Sequence, residues 1–132
     1  MKNTKSASKP DWKEMTFANI LHYMNEAGNF RASFLVDAQG LPVAAVTSGY
    51  DTDTASAMAA LVRNVIAQAQ TRIDLAETDE VAIRGNDKTR LISRCFAIGD
   101  ETLILVVVAL PDRPYRRLTN RAIKALQAAW SS

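Results

Sequence analysis

The run LILVVVAL, Leu103 to Leu110, is eight apolar residues in a row with no alternation. A strand with one wet face alternates apolar and polar side chains. An unbroken run of this length instead marks a strand buried on both faces. Such a strand needs a covering layer above and another below. Eight residues are also far too few to cross a bilayer as a helix. The rest of the chain must therefore supply helices for both sides of a sheet. At 132 residues, 48% hydrophobic and 23% charged, it has material for one such domain and not for two.

Those helices are legible. Asp11, with Glu14 three residues on, forms a capping-box pattern, and Phe17, Ile20, Leu21, Met24 and Ala27 follow at helical spacing until Gly28 and Asn29. Next, SFLVDAQGLPVAAVTS places two apolar runs around Asp37-Ala38-Gln39-Gly40, a hairpin whose Pro42 puts its second strand at a sheet edge. Asp53 or Thr54 caps a second helix that runs to about Ile73. Short strands over 80–84, 89–98 and 101–110 are separated by turns at Gly85-Asn86-Asp87-Lys88 and at Gly99-Asp100. A last helix carries Leu118, Ala122, Ala125, Leu126 and Ala129 on one face. The order α-β-β-α-β-β-β-α predicts an α/β fold of three layers, α/β/α, with residues 1–10 as a flexible leader and 11–132 as a single domain.

Little in the chain points to chemistry of its own. There is no GxxxxGK[ST] and no GxGxxG, so no nucleotide phosphate is cradled. The single histidine, His22, lacks the partners that orient a catalytic or metal-bound imidazole. The single cysteine, Cys95, lies within a strand and suits a small buried hydrophobe better than a reactive thiol. Asp51 with Asp53, and Asp79 with Glu80, stand at element starts, where capping and solubility explain them. No metal, cofactor or small-molecule substrate is expected, and no catalytic residue is assigned. The basic N-terminus has no apolar run behind it, so it is not a secretory signal, and a cytoplasmic location is the expectation.

Two features ask for more. In ASAMAALVRNVIAQA (Ala55 to Ala69), eleven of fifteen residues are apolar and the one formal charge is Arg63. On a helical projection Ala55, Met58, Val62, Val65, Ile66, Ala69 and Ile73 face the sheet, while Ser56, Ala60, Arg63, Asn64, Ala67 and Thr71 lie opposite. Alanine is the best helix former on a wet face, and a stripe of small residues equally suits close approach by a second backbone. The other feature is charge placement. Residues 112–132 carry five basic side chains against Asp112 alone, whereas 11–111 hold eight basic and thirteen acidic. Arg117, Arg121 and Lys124 form a row on the last helix, either a solvated face or a contact for an anionic partner such as an acidic protein, lipid heads or nucleic acid.

The hairpin FLVDAQGLPVAAV, the helix opening DTASAMAALV, and the strands EVAIRG, TRLISRCFAI and ETLILVVVAL together resemble the Roadblock/LC7 domain over about residues 15–110. The last helix is similar to that of the longer bacterial members. The resemblance implies a profilin-like domain with a five-stranded antiparallel sheet. It further implies a homodimer in which central helices meet through Ser56, Ala60, Arg63, Asn64 and Ala67, and third strands pair through Glu80, Val81, Ala82, Ile83 and Arg84. The partner it implies is a small Ras-like GTPase, whose hydrolysis the dimer accelerates or which it merely holds as a scaffold. No contact with nucleic acid or a membrane is expected.

Overall fold

A computed structural model describes residues 16–46, 52–74, 76 and 79–131 of the chain. Its elements are α1 (Phe17–Gly28), β1 (Ala32–Asp37), β2 (Pro42–Val46), α2 (Thr52–Arg72), β3 (Glu80–Arg84), β4 (Arg90–Ile98), β5 (Glu101–Ala109) and α3 (Arg116–Ser131). All neighbouring strands are antiparallel, and the sheet order is β2-β1-β5-β4-β3.

β5 occupies the centre, as its composition requires. Leu103, Leu105, Val107 and Ala109 point into a core shared with Ile20, Leu21 and Met24 of α1 and Ala122, Ala125 and Leu126 of α3. Ile104, Val106 and Val108 point the other way, into a second core with Val62 of α2 and with Ala32, Phe34 and Val36 of β1. One strand thus feeds two cores, and the three layers follow from it.

The turns have local causes. In the hairpin, the Asp37 carboxylate accepts hydrogen bonds from the Gln39 and Leu41 amides at 2.9 Å each, and Gly40 takes φ +86°, a region that disfavours a side chain. Pro42 opens β2 at the sheet edge, where a missing donor is tolerated, and the register shifts between Leu35 and Val36 opposite it. Gly99 turns β4 into β5 at φ +58°, under the indole of Trp130; a Cβ there would lie 2.5 Å from Nε1. Trp130 in turn stacks on Phe17, ring centroids 6.4 Å apart, which joins the end of α3 to the start of α1.

Three expectations change. Asp11 and Glu14 lie outside the described residues, and the helix that carries Phe17 has its N-cap at Thr16. Thr16 is extended there, and its hydroxyl accepts the Asn19 amide at 3.2 Å. The second helix starts at Thr52, so Asp53 is already in its first turn rather than at its cap. Val65 and Ile73, assigned to the sheet side, are 40% and 69% exposed. The buried stripe is narrower than the projection suggested: α2 seats Val62, flanked by Met58 and Ile66, over β1 and β5. Val65 falls on the flank, and Ile73 lies past the last residue of the helix.

Candidate functional site

β3 is an edge strand. Its register with β4 pairs Glu80 with Arg94, Val81 with Ser93 and Ile83 with Leu91. Side chains alternate along a strand, so Val81 and Ile83 share the sheet face that α2 covers, while Glu80, Ala82 and Arg84 share the other. Ile83 is 43% exposed. The outer ladder of β3 carries no strand partner among the described residues.

Because α2 lies over β1 and β2, a cleft remains beside it above β5 and β4. Its volume is about 490 Å³, with Arg63, Ile66, Ala67 and Gln70 on the helix side and Cys95, Ala97, Thr102 and Ile104 on the sheet side. Ala60, Arg63, Asn64 and Ala67 are all exposed. The side chain of Ser56 lies outside the described residues. The small-residue stripe and the β3 edge, read separately from the sequence, therefore flank one sheet face with this cleft alongside the helix.

Glu80 departs from the expectation of a simple edge contact. Its carboxylate turns toward α3, where it accepts hydrogen bonds from the Tyr115 hydroxyl at 2.8 Å and from an Arg116 nitrogen at 2.7 Å. Arg94 Nε lies 3.6 Å from the same carboxylate, buried and with no hydrogen-bond partner among the described residues. A second Arg94 nitrogen donates to the Thr119 hydroxyl at 2.7 Å. One carboxylate thus balances a buried guanidinium and a surface one. Its hydrogen bond with Tyr115, more than burial, raises the phenol pKa above 10.0. The neighbouring Arg90 packs over the Tyr115 ring at 5.4 Å and donates to the Leu110 carbonyl at 2.9 Å, holding the link between β5 and α3. Sequence inspection missed this cluster because its members are far apart: the β3–β4 register sets Glu80 beside Arg94, and the packing of α3 on the sheet brings Tyr115, Arg116 and Thr119 to them.

The remaining candidates fall elsewhere. Arg117, Arg121 and Lys124 are exposed on α3. Cys95 is half-buried in the wall of the cleft, and burial pushes its thiol pKa up, away from reactivity. His22 is exposed, with Nε2 3.6 Å from Glu26. Among the described residues no group of His, Cys, Asp and Glu could hold a metal, and no helix is long and apolar enough to cross a membrane.

Among the described residues, one helix on one face of a five-stranded antiparallel sheet and two on the other, in this order, define a profilin-like α/β domain. The chain belongs to the Roadblock/LC7 domain family, whose sequence model matches residues 16–109. Its fold is similar to that of Myxococcus xanthus MglB, at 19% identity and TM-score 0.71, over 89% of this chain and 98% of that one. The gliding protein MglB of Thermus thermophilus aligns at 20% identity and TM-score 0.69, covering 88% and 90%. A Roadblock/LC7 domain from Streptomyces avermitilis aligns at 19% identity and TM-score 0.64, covering 84% and 92%. At these identities the likeness is one of fold. No curated protein matches the chain in sequence.

Proposed function

We propose that this chain is a non-enzymatic regulatory module of the cytoplasm that works as a homodimer and binds a small Ras-like GTPase, accelerating its hydrolysis. Residues 11–132 form its one domain and 1–10 its leader. The observation that carries the dimer is the single surface made by the small-residue side of α2, the cleft beside it, and the open edge of β3. A second copy of α2 laid against Ala60, Asn64 and Ala67 would fill the cleft, and a second β3 would pair with Glu80–Arg84. The identity of the partner rests on family membership. The chain needs no active site in this reading, because the GTPase brings its own.

Single-turnover GTP hydrolysis by a small Ras-like GTPase from the same genome, with and without this chain, tests the reading. A complex and a faster turnover are expected. A complex with unchanged turnover, formed equally with GDP and GTP, assigns the chain to scaffolding instead. Failure to form any complex overturns both.

A further inference from the structure

The charge on α3 is placed against the interests of folding. Arg116, Arg117, Arg121 and Lys124 are all exposed, and no acidic residue occurs in residues 113–132. Arg113, Arg116 and Arg117 crowd the start of the helix, whose dipole is positive there; its first turn has no acid and its last turn no base. A helix face selected only for solubility and stability carries the reverse arrangement.

The fold neutralises only part of this charge. Glu80 is committed to Arg116 and to the buried Arg94. The Arg117 and Lys124 side chains make no hydrogen bond or ion pair among the described residues. They are seven positions apart, about 10.5 Å along the helix, with Arg121 between them.

Arginine outnumbers lysine in this row, and a guanidinium fork matches a carboxylate with two parallel hydrogen bonds, a geometry that a fluid lipid surface does not require. The apolar side of α3 is buried in the core, and Trp130, 41% exposed at the far end of the helix, is stacked on Phe17. Tyr115, the aromatic beside the row, is committed to Glu80 and Arg90, so the row itself holds no free ring for stacking bases.

We propose that the outward face of α3 docks an acidic protein segment, with Arg117 and Lys124 gripping carboxylates spaced along a helix and Arg113 extending the row. α3 lies on the side of the sheet away from α2. The inference therefore holds whether or not the chain dimerises or binds a GTPase.

The test is fluorescence anisotropy of a labelled helical peptide with glutamates three and four residues apart, titrated with the full chain at about 0.1 M salt, where the Debye length is about 10 Å. Binding is expected, and it should vanish when glutamine replaces the glutamates. Arg117→Glu with Lys124→Glu should weaken it about tenfold or more, and the paired glutamine variant by less. Circular dichroism and mass in solution should stay unchanged in both variants, which separates loss of docking from loss of fold or dimer. Parallel titrations use phosphatidylcholine vesicles containing phosphatidylserine, and a single-stranded oligothymidine. Binding to vesicles or oligonucleotide without binding to the peptide overturns the proposal. So does peptide binding that survives the double charge reversal, or none at all.

Discussion

Glu80 is where a single residue bears most on the molecule. Arg94 is buried beneath α3 and depends on that carboxylate to balance its charge. Glu80→Ala should therefore destabilise the fold by roughly 2–4 kcal/mol, near or just below the range for breaking a buried pair because Glu80 is partly exposed. Urea unfolding measures this; a loss under about 0.5 kcal/mol, the value of an ordinary surface pair, would show that Arg94 is solvated in another way. Tyr115 gives the same contact a pH signature. Its folded-state pKa is raised, chiefly by the hydrogen bond to Glu80. The stabilisation is therefore full below the unfolded value of about 10 and is lost as pH rises through the folded one. Stability followed from pH 9 to pH 12 should fall more steeply in the wild type than in Tyr115→Phe, approximate limits set by the reference phenol pKa near 10. Parallel curves would remove the phenol from the account.

At the scale of elements, legibility followed how local the cause was. β5 could be placed from LILVVVAL alone, since a strand buried on both faces has no other pattern. The hairpin could be placed from Asp37, Gly40 and Pro42, which act within a few residues. For α2 the 3.6-residue period showed which positions share a side, but not how wide a stripe the sheet would cover; that depends on where the helix lands across β1 and β2. Val65 was misassigned for this reason and Ile73 because the helix ends at Arg72, and the Glu80–Arg94 pairing was invisible because register is set by the whole sheet. Two predictions belong here. Leu105→Ala, in the middle of β5 with no exposed surface, should cost about 2–5 kcal/mol in chemical unfolding. Arg117→Glu should do the opposite, raising stability by about 0.3–1 kcal/mol because an acid replaces a base in the first turn of α3. A destabilised Arg117→Glu would mean that the row on α3 supports the fold, and the argument for docking there would lose its premise.

For the whole molecule, the two faces of the sheet are finished differently. The α1 and α3 side is closed by two helices and carries the polar network of Glu80, Arg94, Tyr115 and Thr119. The α2 side is covered by one helix, leaving a cleft and an open strand edge. A helix of 21 residues, about 31 Å long, offers enough length for a second helix to pack along it, and Ala60 and Ala67 permit an approach of about 8 Å. Pairing two β3 edges would extend one sheet through the dimer and satisfy both outer ladders at once. If these are the contacts, each can be broken without touching either core. Ala60→Glu puts a charge on the exposed side of α2, and Ile83→Lys puts one on the exposed part of β3. Light scattering at micromolar concentration should give the wild type twice the mass of one chain, and each variant a mass near one. Their circular dichroism should match the wild type, because both positions are exposed in the single chain. A wild type that runs as a monomer would overturn the dimer. A variant that stays dimeric would show that its element lies outside the contact, and two such variants would place the two-fold axis on another face.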